Sequence, residues 1–260
     1  LTTKVHDFAN QLAEAENARV GMTPITAQES EITVEEAYRI QLENIHKKLE
    51  NGAKITGKKI GLTSLAMQKL LGVNEPDYGH LLDTMLIKNG GAVSVEHLLQ
   101  PKVEGEIAFI LKEELRGPNI TTLDVLKATN YIVPAIEIVD SRIQDWKITL
   151  HDTVADNASS GLYVLGGKRT KIEDVDLKQV GMVLTKNGEV VNTGVGAAAL
   201  GHPARCVAWL ANKLSEFDIS LKAGEVILSG ALSAAIDVKA GDSFTARFAH
   251  IGEVSVDFTS

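Results

Sequence analysis

Apolar residues recur at helical spacing from residue 4 to 19, where Val5, Phe8, Ala9, Leu12, Ala13 and Ala15 form one stripe. A second helix is predicted over 34–50. Ala37, Ile40, Ile45 and Leu49 line one side of it, Thr33 precedes it with Glu36 three residues on, and Asn51-Gly52 stops it. From residue 53 the pattern shortens. Ala53-Lys-Ile-Thr-Gly57-Lys58-Lys59-Ile-Gly61 reads as a strand that leads into a short helix over 64–71 and a turn-rich loop over 72–80. Short Val- and Ile-rich runs at 102–111 and 131–140 read as strands, with a helix between them that Thr121 or Thr122 caps. The last hundred residues are mostly β. Asn187-Gly188 joins a hairpin, Pro203 opens a helix to 214, and two Lys-Ala-Gly turns each introduce a strand. The chain is therefore read as α+β: a helical N-terminal cap over 1–52 packed on a β-rich domain over 53–260. The short, evenly spaced strands of the latter suggest a barrel or rolled sheet.

Candidate chemistry concentrates in the two middle strands. Glu104 and Glu106 flank Gly105, and residues two apart in a strand share a face. Glu137 lies inside the apolar run Tyr131-Ile-Val-Pro-Ala-Ile-Glu137-Ile-Val-Asp140, where an uncompensated carboxylate is costly. Glu-x-Glu alone reads more readily as the wet face of an edge strand. The third carboxylate in a greasy strand points to a hard divalent cation held by oxygen ligands, Mg2+ or Mn2+. In the strand over 54–61, Lys58 and Lys59 face opposite sides, so one is expected outside and one inside; a pair of exposed surface lysines fits the pattern equally well. Asp77, Tyr78 and His80 fall on the predicted loop, a common address for site residues. The small polar run Asp156-Asn-Ala-Ser159-Ser160-Gly161 reads either as a ligand cradle or as a capping and turn cluster.

Bulk properties narrow the class. With 260 residues, 44% hydrophobic and 23% charged, the chain can bury a sizeable core. A net charge of -8 argues against a nucleic-acid partner. The single cysteine, Cys206, excludes an internal disulfide and reads as a core residue. No long apolar run and no signal-peptide pattern appear, so no membrane association is expected and cytoplasm is the expected compartment; the first residue is Leu1, and the true start is expected upstream. The apolar face of the first fifty residues (Phe8, Leu12, Ile40, Ile45) is more than a small cap usually hides, so a homo-oligomer of closed symmetry is expected, with that face partly against a neighbour.

The motifs Lys59-Ile-Gly-Leu-Thr63-Ser, Glu104-Gly-Glu106, Pro134-Ala-Ile-Glu137-Ile-Val-Asp-Ser-Arg142 and Asp152-Thr-Val-Ala-Asp-Asn-Ala-Ser159-Ser160 resemble the fumarylacetoacetate hydrolase superfamily over almost the whole chain. The resemblance is to its branch of 2-hydroxypenta-2,4-dienoate hydratases and 4-oxalocrotonate decarboxylases. It implies a rolled mixed β-barrel of the C-terminal-domain type. It also implies Mg2+, with Mn2+ as the alternative, on Glu104, Glu106 and Glu137. The implied activity is a lyase of meta-cleavage catabolism acting on a small anionic 2-hydroxydienoate or 2-oxo acid, and association with other enzymes of that pathway comes with it. Gly230-Ala231-Leu232 and the stretch Asp140 to Trp146 are closer to the hydratases. In that setting Lys59 is the first acid/base candidate, with a pKa that burial beside the cation would lower, and Asp77 is the second. Thr63, Arg142, Ser159 and Ser160 are the candidate substrate-binding residues.

Overall fold

The computed structural model describes residues 3–260. Three helices come first: α1 (Thr3–Ala18), α2 (Ile25–Gln28) and α3 (Val34–Glu50). The start of α3 is a capping box: Thr33 Oγ1 accepts the Glu36 N–H, and the Glu36 carboxylate accepts the Thr33 N–H at 2.9 Å. There follow β1 (Ile55–Gly61), α4 (Leu65–Leu71), β2 (Asp77–Leu82), β3 (Leu86–Ile87), β4 (Gly91–Ser94), β5 (Lys102–Leu111), α5 (Thr122–Ala128), β6 (Thr129–Val139), α6 (Leu150–Ala155) and β7 (Ser160–Leu165). The hairpin β8 (Gly181–Lys186) and β9 (Glu189–Val195) turns on Asn187 and Gly188, both at positive φ. Helix α7 (Pro203–Leu214) then precedes β10 (Val226–Ala231), β11 (Ile236–Asp237), β12 (Ser243–Phe248) and β13 (Gly252–Thr259).

The strands form two mixed sheets. The larger runs β2-β1-β10-β5-β6-β7-β3, with β11 added to β5, and the smaller runs β4-β13-β12-β8-β9. The smaller sheet packs on one face of β5 and β6. Phe244, Ala246, Val256 and Met182 meet Val103, Ile107, Ile136 and Ile138 there, and Met182 lies against Gly105. Alternation then sends Glu104 and Glu106 to the other face of β5, which is where the site forms. No helix among the described residues is long and apolar enough to cross a membrane.

Three sequence expectations change. The apolar face of the first helices needs no neighbour: Phe8, Leu12, Ile40 and Ile45 are all buried within the chain, and most of them belong to the same core as the sheets. Each such side chain contributes roughly 1.5–3 kcal/mol on burial, enough to hold the helices down intramolecularly. Residues 77–80 are not a loop but the start of β2, buried along its whole length. Asp77 and His80 hid this strand: His80 is satisfied by Gln41 and Asn157 from distant elements, and Asp77 is buried beside Lys59 with one oxygen unpartnered. Finally, Lys58 and Lys59 do point to opposite sides of β1, yet both are buried. Other parts of the chain cover both faces of β1 over residues 57–60, so neither lysine reaches water. Lys58 pairs with Glu225 at 2.9 Å.

That pair gives a prediction for stability. Removing one partner leaves a buried charge, so Lys58→Ala should destabilise by about 3 kcal/mol. The double variant Lys58→Met with Glu225→Leu should recover most of the loss, because apolar replacement of a buried pair is close to neutral. Urea midpoints of the two variants check this; equal losses would mean the ion pair is not the cause.

Candidate active site

Glu104 on β5 stands directly opposite Glu137 on β6 in the antiparallel ladder, and Glu106 lies two residues along on the same face. Carboxylate oxygens of the three lie within 4.8 Å of one another. Glu106 and Glu137 are buried, while Glu104 is half-buried and lines an adjoining chamber. Glu106 Oε2 accepts the Gly230 N–H at 2.8 Å. Gly230 has φ +102, and a Cβ there would lie 2.3 Å from Thr63 Oγ1, so glycine is required for this donor to reach the cluster. Among the described residues neither oxygen of Glu137 receives a hydrogen bond, although Lys59 Nζ stands 3.2 Å from one of them.

Lys59 reaches this face from β1. Its Nζ also donates to the Ala158 carbonyl at 2.9 Å. Asp77, paired across from Gly61, shares the face, and its Oδ1 has no hydrogen-bond partner among the described residues. Gly61 makes room for both groups: a Cβ there would lie 2.2 Å from Asp77 Oδ1 and 3.4 Å from Lys59 Nζ. Burial alone would depress the Lys59 pKa, but Glu137, Asp77, Glu104 and Glu106 outweigh it and hold the ammonium above its ordinary range. In the metal-free protein the four surrounding carboxylates set this direction; the lowering expected from the sequence concerns the group beside a bound cation. Burial raises Asp77, against the pull of Lys59 and with that of Glu137. Burial and Glu137 raise Glu104 to about 7, and burial with Glu137 and Glu104 holds Glu106 well above 4.5.

The remaining candidates divide. Ser159 lines the chamber beside Lys59, Asp77 and Thr153, although its hydroxyl donates to Asp156 at 3.1 Å. Thr63 lines a second chamber that shares Gly61, Leu62, Met67, Glu104 and Ala235 with the first. Ser160 and Arg142 are not brought to this face; both line a separate polar cavity beneath the helical cap. The Arg142 guanidinium is spent on the protein. It pairs with Asp156 and donates to the carbonyls of Asp140 at 2.6 Å, Ser160 at 2.8 Å and Asp156. Its neighbourhood in the sequence suggests a ligand; three of its N–H groups serve backbone carbonyls and a fourth the Asp156 carboxylate instead. The sequence reading passed over Thr153 and the Ala158 carbonyl, and over the apolar wall of Leu62, Met67, Trp146 and Ile148. A carbonyl carries no residue-type signal, and the wall residues are ordinary core types.

A three-carboxylate cluster with orphaned buried oxygens and an all-oxygen donor set fits a hard divalent cation. The chain belongs to the fumarylacetoacetate (FAA) hydrolase C-terminal family, whose pattern residues 66–259 match. Within it, the chain is 47% identical over 251 residues to a 2-hydroxyhexa-2,4-dienoate hydratase of Comamonas testosteroni, covering 96% of this chain and 95% of that protein. It is 50% identical over 219 residues to a 2-hydroxypent-2,4-dienoate hydratase of Pseudomonas putida, covering 84% and 99%. Among solved structures, 4-oxalocrotonate decarboxylase from Pseudomonas putida G7, complexed with magnesium and adipate, superposes with a TM-score of 0.97 at 40% identity, covering 99% of this chain and 98% of that one.

Two predictions follow from the cluster. Glu106→Gln should abolish measurable Mg2+ binding in calorimetry while the circular dichroism of the fold is retained; undiminished binding would remove Glu106 from the metal set. The second concerns pH. In the metal-free protein Glu104 and Glu106 hold protons that the unfolded chain releases from about pH 4.5 upward, so native-state proton binding exceeds that of the unfolded state. Metal-free stability should therefore fall as pH rises from about 4.5 through about 7. Saturating Mg2+ should raise Tm more at about pH 8 than at about pH 5.5, since protons compete for the same oxygens. An equal gain at both pH values would contradict the assignment.

Proposed function

We propose that the chain is a metal-dependent hydro-lyase that adds water to 2-hydroxypenta-2,4-dienoate, giving 4-hydroxy-2-oxopentanoate, in meta-cleavage catabolism of aromatic compounds. The observation that carries this reading is the cluster of Glu104, Glu106 and Glu137 with Lys59 and Asp77 on the same face, opening into largely apolar chambers. The hydratase names of the two relatives above support it. Mg2+, as in the magnesium-bound decarboxylase structure, is the metal proposed for the three glutamates. When bound, it would polarise the C2 oxygen of a substrate and stabilise negative charge there.

The protein groups supply the rest. Lys59, held by Ala158 O and Glu137, is a positioned ammonium that can donate a proton to the dienol chain. Asp77, with one oxygen unpartnered and its pKa raised by burial, is suited to exchange a proton with the adding water. The wall of Leu62, Met67, Trp146 and Ile148 excludes bulk water from an uncharged hydrocarbon tail. A diacid, as a 4-oxalocrotonate-type decarboxylase takes, would need a cation for its second carboxylate. The lysines lining these chambers are Lys59, engaged by Glu137, and Lys102, engaged by Asp237 at 3.1 Å and lying over the Trp146 ring. The Lys102 pair is solvent-exposed, so the preference for the hydratase over the decarboxylase is drawn from the names of the relatives above. Homo-oligomerisation and association with other enzymes of the pathway are proposed on the family resemblance alone.

The test feeds 2-hydroxypenta-2,4-dienoate and 2-oxo-3-hexenedioate separately, with Mg2+, and follows loss of conjugation and release of CO2. Hydration of the first without CO2 from the second is the expected result; CO2 release as the faster reaction would replace the hydratase reading with the decarboxylase. In the same assay Lys59→Ala should lower kcat by roughly 10²-fold or more, the usual size of a lost general acid or base.

A further inference from the structure

Gln41 is a polar residue at the centre of the cap–barrel contact, 1% exposed on α3. Its amide nitrogen donates to two carbonyls, Tyr78 O on β2 at 3.0 Å and Val154 O on α6 at 2.7 Å. Both amide hydrogens are thereby used. Its oxygen faces His80 Nδ1 at 3.0 Å, so the ring must carry its proton on Nδ1 and donate it to Gln41. The ring is deeply buried beside Lys58, and both effects lower its pKa, to about 3, which keeps it neutral. One cap side chain thus closes three hydrogen bonds onto two elements that have no ladder between them.

Those two elements carry the acid/base side of the site. β2 begins with Asp77. α6 contributes Thr153 and runs into residues 157–159, which present the Ala158 carbonyl to Lys59 and line the chamber with Ser159. Asn157 ties the same two elements a second time: its Oδ1 accepts the His80 N–H at 2.7 Å and its Nδ2 donates to His80 O at 3.0 Å. Asn157, Ala158 and Ser159 all have left-handed backbone, φ 54, 52 and 50. Such a run of non-glycine residues persists only where its surroundings over-determine it. The metal glutamates stand elsewhere, on β5 and β6, and Gln41 makes no hydrogen bond to either strand.

We infer that Gln41 is a positioning residue: through Tyr78, His80 and Val154 it sets the distance between Asp77 and the Ala158 carbonyl that holds Lys59, and so makes the N-terminal cap part of the catalytic apparatus. For its kinetic arm the inference rests on the hydratase reading. The removal of Gln41 leaves the metal cluster intact and misplaces the proton-transfer groups, which changes kcat rather than binding.

The experiment compares Gln41→Met, similar in volume and without the hydrogen bonds, with Ile40→Ala, a buried apolar truncation on the same helix chosen to match the loss of stability. Gln41→Met should lower kcat by roughly 10-fold or more, the size of effect a misplacement of about 1 Å produces. KM and the calorimetric Mg2+ affinity should both stay within about twofold, well inside the spread of a tenfold effect. Ile40→Ala should keep kcat. Amide hydrogen exchange of the metal-free protein should speed up over residues 77–82 and 153–160 in Gln41→Met and stay unchanged over 102–111 and 129–139. Intact kcat, an equal kcat loss in Ile40→Ala, a parallel loss of Mg2+ affinity, or uniformly faster exchange would each overturn the inference. If the native protein hydrates no dienoate, the functional reading fails, and the exchange arm still decides whether Gln41 locks these elements.

Discussion

The structure turns on one unfavourable contact, the placing of Glu104 directly across from Glu137. Like charges facing each other across a ladder are destabilising, and here Glu106 adds a third carboxylate on the same side. What keeps the strands in this register is the opposite face. Val103, Ile107, Ile136 and Ile138 are packed under the smaller sheet, and a slip of one residue would exchange them with the glutamates. The carboxylates are concentrated by the hydrophobic core behind them, and the fold brings the Lys59 ammonium within 3.2 Å of Glu137. A cluster built this way suits a dication, because the repulsion has already been overcome in folding.

The site has two walls of different character. The wall that carries the three glutamates is continuous sheet, with β5 paired to β6 along its length and to β10 on the other side. The wall that carries Lys59 and Asp77 joins β1 and β2 to a short helix and a left-handed loop. Each non-glycine residue in that conformation costs roughly 1–2 kcal/mol, so residues 157–159 must be held by tertiary bonds. Arg142 and Asp156 do this from one side. Asp156 accepts from Ser141 Oγ, the Arg142 N–H and Ser159 Oγ, while Arg142 covers the carbonyls of Asp140, Asp156 and Ser160. A buried guanidinium with four of its N–H groups matched is a structural brace here, which is why its sequence neighbours signal a site and it is absent from the chamber.

This difference between the walls also decides what was legible in the sequence. The glutamates could be read because strand alternation is a local rule: Glu-Gly-Glu puts two carboxylates on one face, and a Glu amid Ile and Val is conspicuous. Capping of α3 by Thr33 and the Asn187-Gly188 hairpin were legible for the same reason, since both are set by residues within a turn of each other. β2 was not, because Asp77 and His80 look solvent-facing until distant elements bury them, Gln41 and Asn157 bonding His80 and Lys59 lying beside Asp77. The inward face of Lys58 was not, because Glu225 lies far along the chain. Nor was the Ala158 carbonyl, since any residue has one.

The same reasoning bears on how the helical front relates to the barrel. Val5, Phe8, Leu12, Tyr38 and Ile40 belong to one continuous core with residues of both sheets. Tyr38 stacks on Tyr78 at 4.6 Å between ring centres, and Thr26 on α2 donates to the Asp152 carboxylate of α6 from both its hydroxyl and its backbone. An independently folding cap would bury its own face and meet the barrel through a polar, hydrated seam. Here the seam holds a buried aromatic stack, and the side-chain bonds of Thr26 and Gln41 end on β2 or α6, while Met22 adds a backbone bridge to Arg142 and Gln144. Apolar burial holds the helices in place without specifying distance, whereas directed bonds to Tyr78 O, Val154 O and Asp152 do specify it. The cap is therefore fused where the site needs angular precision that a short helix and a strained loop cannot supply themselves.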